Sequence, residues 1–194
     1  MCELHFKNDY ELLVAVILSA QCTDKRVNEV TPILFEKYPN YHFLANAGVE
    51  DVEKIILPCG FYHNKAKNII QASKQIEEHF NSKLPDKLED LTTLAGVGRK
   101  TANVLISNIY HIPAIAVDTH VFRVSNRIGL AKTDNVLDCE KQLMTAIKKE
   151  HWSEMHHILV LFGRYYCKAR NPLCANCVLK DVCKGYKVWN GKNS

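Results

Sequence analysis

The chain has 194 residues, 47% of them apolar, and a formal net charge of +4. It contains no apolar run near the roughly 20 residues that span a bilayer, and no signal-peptide pattern at its start, so we expect no membrane and a cytoplasmic, nucleoid-associated location. The modest positive charge suits a polyanionic partner but does not identify one.

Helical periodicity extends through most of the chain. Asn8 and Glu11 predict the start of a first helix, as an N-cap and a residue that reaches back to it. The helix that follows, over 12–20, is apolar nearly all round and should be buried. Further helices are predicted over 24–38, 49–56, 64–80, 87–94, 99–110, 119–129, 136–147 and 156–166. Strand-like alternation is confined to 112–117, so the sequence predicts an all-α protein with a domain junction near residues 113–118.

The first candidate site lies in the segment 94–102. Gly96 and Gly98 allow a tight turn, and the helix that follows starts with unpaired N–H groups at the positive end of its dipole, an arrangement that binds phosphate. Lys100 in the first turn could contact phosphate, or act as a nucleophile where the dipole and partial burial favour the neutral amine. An ordinary helix–helix turn is the alternative. A nucleotide P-loop is disfavoured because Arg99, rather than glycine, precedes Lys100.

Asp118 forms the second candidate site, at the end of the extended piece and before a helix. An N-cap is one interpretation. The other is a carboxylate that accepts a proton and stabilises positive charge on a sugar beside an amine nucleophile. The sequence does not give the distance from Lys100 to Asp118, so their pairing is a hypothesis.

The third candidate site is a group of four cysteines: Cys167, Cys174, Cys177 and Cys183. They are separated by six, two and five residues, and in a chain without an export signal this crowding favours a metal site over disulfides. Four thiolates suit zinc or an iron–sulfur cluster, and the spacing does not decide between them. Arg164 and Arg170 nearby could bind phosphate.

These motifs, with Leu-Ser-Ala-Gln-Cys-Thr-Asp at 18–24, resemble the endonuclease III family of helix-hairpin-helix DNA glycosylases, over about residues 4–183. The resemblance implies two all-α domains flanking a DNA cleft: a six-helix domain over 3–113 that contains the hairpin, and an iron–sulfur cluster domain over 114–194. It also implies that the four cysteines hold a [4Fe–4S] cluster. The implied activity is that of a monomeric bifunctional DNA glycosylase and AP lyase in base excision repair. Its implied substrate is duplex DNA that contains oxidised pyrimidines or abasic sites.

The resemblance also assigns roles to single residues. Lys100 matches the lysine that forms a Schiff base with the sugar and directs β-elimination, and Asp118 matches the carboxylate that assists it. Gln21 matches the residue that fills the space left by the flipped base, and Phe61 lies where the family often places a leucine wedge. The DNA contacts implied or inferred in this way come from Gln21, Phe61, Gly96, Gly98, Arg99, Thr101, Arg164 and Arg170.

Three departures from the family pattern modify these expectations. Ala95 replaces a usual proline and should loosen the hairpin slightly. Phe61 in place of leucine puts the opposite-base preference in doubt. The family usually carries a further N-terminal helix, so we expect either a truncated chain or a cluster domain with one helix fewer.

Two alternatives compete with the lyase. A monofunctional adenine glycosylase would have a glutamate in the first buried helix and no hairpin lysine, whereas this chain has Lys100. A non-catalytic DNA-binding module would keep its affinity after Lys100→Ala and would not cleave DNA.

Overall fold

The structure is a computed structural model that describes residues 4–186. Within this range the backbone forms ten α-helices and no β-strand, which confirms the all-α prediction. The strand-like piece over 112–117 is irregular, although its Ile115 is fully buried. None of the described helices is both long and apolar enough to cross a membrane. The packing divides the chain into two units between His111 and Ile112.

The first unit is built on a buried helix. Its α-helices are α1 (Asp9–Ser19), α2 (Asp24–Lys37), α3 (Tyr41–Ala45), α4 (Val49–Ile56), α5 (Tyr62–His79), α6 (Leu88–Leu91) and α7 (Arg99–Ile109), with a 3-10 turn at Leu57–Cys59. Every residue of α1 from Leu12 to Leu18 is buried, as its apolar sequence predicts, and α1 packs against α2, α5 and α7. Two of these helices, α3 and α6, are only about one turn long.

The predicted start of α1 is confirmed. Asn8 Oδ1 accepts the N–H of Glu11 at 2.8 Å. The return hydrogen bond differs from the expected one, because Glu11 Oε2 accepts the N–H of Lys7 at 2.7 Å rather than that of Asn8. The first bond satisfies a backbone donor that the helix itself leaves unpaired, and the second ties the residue before the N-cap to the first turn.

Two helices differ from the sequence prediction in the first unit. Helix α3 was missed because it has only five residues, although Asn40 marks its start by accepting the N–H of Phe43 at 3.1 Å. Helix α6 ends at Leu91, three residues earlier than predicted, because the N–H groups of Thr93 and Leu94 bond three rather than four residues back. This tighter winding leads the chain into the turn before α7.

The described part of the second unit, residues 112–186, has three α-helices followed by a loop region. They are α8 (Thr119–Ile128), α9 (Val136–Ala146) and α10 (Trp152–Tyr165), with a 3-10 turn at Lys149–His151. Helix α10 begins four residues earlier than predicted because Trp152 and Met155 already pack on the apolar core of this unit. Helices α8 and α10 approach closely at Gly163, where a Cβ atom would lie 2.9 Å from Cβ of His120. From Cys167 to Tyr186 the chain runs through turns.

Candidate functional site

The turn between α6 and α7 has a defined backbone conformation. The N–H of Val97 donates to the carbonyl of Leu94 at 3.0 Å, and both side chains are buried. Gly96 lies between them with φ of +77°, a backbone conformation that residues other than glycine rarely adopt. The sequence prediction of a tight turn at the first glycine is therefore supported by the geometry, whereas Gly98 has an ordinary extended conformation (φ −87°, ψ 174°).

The first turn of α7 is open to solvent at its N-terminus. Gly98 is the N-cap residue, and among the described residues no side chain caps this helix. Arg99 and Lys100 are exposed, and Thr101 is half-buried. The N-terminal N–H groups and the positive end of the helix dipole therefore face a space that a phosphate can enter. Lys100 stands in the same turn, which places an amine beside these N–H groups.

Asp118 occupies the N-cap of α8. Its Oδ1 accepts the N–H groups of both His120 and Val121, each at 2.8 Å. One carboxylate oxygen thus accepts both capping bonds, and the second oxygen, Oδ2, lies outside the cap. The structure therefore establishes that Asp118 is the N-cap of α8. This role is compatible with a second role of the other carboxylate oxygen in a reaction.

Two predicted DNA-contacting residues lie at strained positions of the backbone. Gln21, between α1 and α2, has φ of +54°, and Phe61, which precedes α5, has φ of +46°. Both are exposed, Phe61 to 66%. A phenylalanine whose backbone lies in the left-handed region and whose side chain is open to water is unusual. This combination suggests that the conformation of Phe61 serves a purpose other than the stability of the fold.

The loops that carry Gln21 and Phe61 are connected beneath their exposed tips. Cys22 and Cys59 lie one residue after Gln21 and two before Phe61, and burial, together with the neighbouring Cys22 thiol, raises the pKa of Cys59 to about 11. The ammonium group of the buried Lys65 donates a hydrogen bond to the carbonyl of Cys59 at 2.8 Å. No sequence motif pointed to Lys65. Cys59 is buried, but Cys22 is only half-buried.

The four predicted cluster ligands line a single pocket of the second unit. The remaining walls of the pocket are mostly apolar: Ile128, Phe162, Tyr166, Pro172, Leu173, Lys180 and Tyr186. Burial raises the pKa of the Cys174 thiol, and the three other cysteines add to that shift. Across residues 4–186, no three His, Cys, Asp or Glu side chains are arranged around a single metal ion. Four soft thiolates in a mostly apolar pocket suit an iron–sulfur cluster in their chemistry.

Two arginines of α8 form hydrogen bonds to the loop that carries the cluster ligands. Neither was predicted from the sequence. Arg127 donates to the carbonyls of Lys168 (2.7 Å) and Ala169 (3.2 Å), and its Nη1 lies 3.6 Å from Sγ of Cys167. Arg123 donates to the carbonyl of Cys167 at 3.1 Å. Their partners lie about 40 residues away in sequence, so no local pattern could have indicated them. Arg164 and Arg170, which the sequence did single out, are exposed.

Family models match most of the chain. Residues 14–149 match that of the HhH-GPD superfamily base excision DNA repair proteins, and residues 167–183 match the iron–sulfur binding domain of endonuclease III. The chain is 50% identical over 184 residues to endonuclease III of Bacillus subtilis (strain 168), an alignment that covers 94% of this chain and 84% of that protein. It is 42% identical over 182 residues to endonuclease III of Escherichia coli (strain K12), which covers 94% and 86%.

Solved structures give the same result. The structure of a trapped endonuclease III–DNA covalent intermediate, an estranged-adenine complex, superposes with a TM-score of 0.92 at 48% identity and covers 98% of this chain and 90% of that one. A non-covalent endonuclease III–DNA complex matches with the same TM-score at 47% identity and the same coverage.

The class defined by these matches is the HhH-GPD superfamily of base excision DNA repair proteins. Within it, the chain belongs to the endonuclease III family. The resemblance found in the sequence is thereby confirmed, as are the DNA partner, the enzyme class of DNA glycosylase and AP lyase, and the iron–sulfur cofactor, a [4Fe–4S] cluster.

Proposed function

We propose that Lys100 is the nucleophile of this lyase. Its neutral amine attacks C1′ of the damaged nucleotide, a C1′–N bond forms, and the glycosidic bond breaks as the base leaves with a proton. Opening of the sugar ring gives a Schiff base, and loss of a C2′ proton then expels the 3′ phosphate by β-elimination. The observation that carries this proposal is the position of Lys100, exposed in the uncapped first turn of α7, where a DNA phosphate and an amine can meet.

Asp118 is assigned the role of the assisting carboxylate. Because Oδ1 is fixed by two backbone N–H groups at 2.8 Å, the carboxylate is held in one orientation. Its Oδ2 is then available to accept a proton from the attacking amine and to stabilise positive charge on the sugar. The N-cap and the catalytic role use different oxygens of the same group.

The substrate is duplex DNA that contains an oxidised pyrimidine or an abasic site, bound by a monomer. Phosphate is bound by the backbone at Gly96 and Gly98 and by the first turn of α7, which includes Arg99 and Thr101. Gln21 and Phe61 enter the helix where the damaged nucleotide has left the stack, a step that damage makes less costly. Arg164 and Arg170 add exposed positive charge beside the cluster ligands.

Borohydride trapping tests the nucleophile. Wild-type protein incubated with duplex DNA that contains thymine glycol or an abasic site should give a covalent adduct on reduction, and undamaged duplex should give none. Lys100→Ala should lose the adduct, while Lys67→Ala, at an exposed lysine of α5, should retain it. An adduct that persists in Lys100→Ala would transfer the role to another amine. Absence of any adduct from wild-type protein that binds the DNA would favour a monofunctional glycosylase.

A further inference from the structure

The side-chain amide of Gln75 spans the turn of the hairpin. Its Oε1 accepts the N–H of Ala95 at 2.8 Å, and its Nε2 donates to the carbonyl of Thr93 at 3.0 Å. Gln75 lies on α5, 18 and 20 residues before these partners. One half-buried side chain therefore fixes a donor and an acceptor of the segment that leads to α7.

A second residue of α5 supports the same turn. Asn68 precedes Gln75 by two helical turns and so lies on the same face of the helix. A Cβ atom added to Gly96 would lie 2.9 Å from Cβ of Asn68 and 3.0 Å from its Nδ2. The backbone of Gly96 thus rests against Asn68, while Gln75 binds the residue before it.

The hydrogen bond to Ala95 depends on the residue type at that position. Proline, which is usual there in the family, has no N–H and fixes its own φ. Alanine leaves φ free and exposes an N–H that needs a partner. Alanine at this position therefore predicts a looser hairpin, and the bond from Ala95 to Gln75 restores the constraint from outside the turn.

We propose that Gln75 is a positioning residue for DNA binding by the hairpin. It holds the turn from Thr93 to Ala95 so that the N-terminus of α7 meets the DNA in a fixed arrangement, and it replaces the rigidity that proline would supply. This inference rests on the proposed function for the role of the hairpin, but its structural part, the restraint of the turn, does not require DNA.

Four variants of the full, cluster-loaded chain test it: Gln75→Leu, Ala95→Pro, the double variant, and Gln71→Leu as a control. Gln71 is exposed on the same helix, so the control introduces the same side chain away from the turn. The probe for affinity is a duplex with a tetrahydrofuran abasic analogue, which cannot form a Schiff base. Hydrogen exchange of the Ala95 N–H, measured without DNA, reports on the turn alone.

Gln75→Leu should accelerate exchange at Ala95 and weaken binding of the analogue about 3- to 10-fold, the size expected for one or two hydrogen bonds. The rate of adduct formation at saturating abasic DNA should change less than about twofold, because Lys100 itself is intact. Ala95→Pro alone should bind within about twofold of wild type. In the double variant proline should restore affinity to within about twofold, because it has no N–H left to satisfy.

Unchanged exchange and affinity in Gln75→Leu, or a double variant as weak as Gln75→Leu, would overturn the inference. So would an equal loss of affinity in Gln71→Leu. A wild-type protein that neither binds the analogue nor forms an adduct would instead overturn the proposed function, and the exchange measurement would still decide whether Gln75 restrains the turn.

Discussion

Oδ1 of Asp118 accepts the N–H of Val121 at 2.8 Å and so fixes the carboxylate at the start of α8. The same oxygen also accepts the N–H of His120, which leaves the other oxygen outside the cap. The two interpretations that the sequence left open, a helix cap and an assisting carboxylate, are therefore compatible in one residue. An orientation set by the backbone is also what a catalytic carboxylate needs.

Asp118→Asn separates these two roles. Asparagine caps helices about as well as aspartate, so the free energy of unfolding should change by less than about 1 kcal/mol. Without a carboxylate to accept the proton, base excision should slow about 100-fold or more. Thermal unfolding and single-turnover excision of thymine glycol measure the two effects. A loss of activity no larger than the loss of stability implies would leave Asp118 as a cap only.

Arg127 should stabilise the cluster rather than the helices. Its guanidinium binds two loop carbonyls and lies near Sγ of Cys167. Lysine keeps the charge but lacks the planar fork, so Arg127→Lys should lose the cluster absorption near about 400 nm several-fold faster in the presence of an iron chelator. Lys168→Ala, which leaves the Lys168 carbonyl in place, is the matched control. Equal decay in Arg127→Lys and wild type would show that the loop holds without this arginine.

Features of the site that depend on neighbouring residues could be predicted from the sequence, whereas contacts between residues far apart in the chain could not. The turn at Gly96 and the cap at Asp118 could be predicted because their determinants lie within a few residues of each other. The bond between Gln75 and Ala95 could not, since it joins residues 20 apart whose pairing depends on how α5 packs. The one available clue was an alanine where proline is usual.

The strained backbone of the exposed loops could not be predicted from the sequence either. Neither Gln21 nor Phe61 belongs to a residue type that favours positive φ, so the sequence predicts an ordinary conformation for both. The structure places both in the left-handed region, which only the surrounding packing can impose. Motif resemblance identified these positions, but not the conformation in which they are held.

The pH dependence of stability should reveal the buried tyrosines of the first unit. Burial is the main reason that the pKa of Tyr41 is raised, and the nearby carboxylate of Asp9 adds to the shift. Above about pH 10 the unfolded chain loses the tyrosine proton and the folded chain keeps it, so the stabilising contribution present below pH 10 is progressively lost as pH rises.

Tyr41→Phe removes that titration. The fall in the free energy of unfolding above about pH 10 should become shallower by up to about 1.4 kcal/mol per pH unit. Urea unfolding at several pH values measures the slope, and Tyr165→Phe, at a residue that is 58% exposed, should leave it unchanged. Parallel curves for Tyr41→Phe and wild type would contradict a raised pKa at Tyr41.

Phe61→Gly should separate stability from function. Phe61 is 66% exposed and has φ of +46°, so its side chain contributes little burial while its backbone is strained. Glycine adopts this φ without penalty, and the relief of strain should offset the greater freedom of the unfolded chain, so the free energy of unfolding should stay the same or rise by up to about 1 kcal/mol. Excision of an oxidised pyrimidine from duplex DNA should nevertheless fall at least about tenfold, because no side chain remains to occupy the opened helix. Phe61→Leu keeps an apolar side chain and should retain most of the excision rate. Full activity in Phe61→Gly would show that the strained, exposed phenylalanine does not enter the DNA.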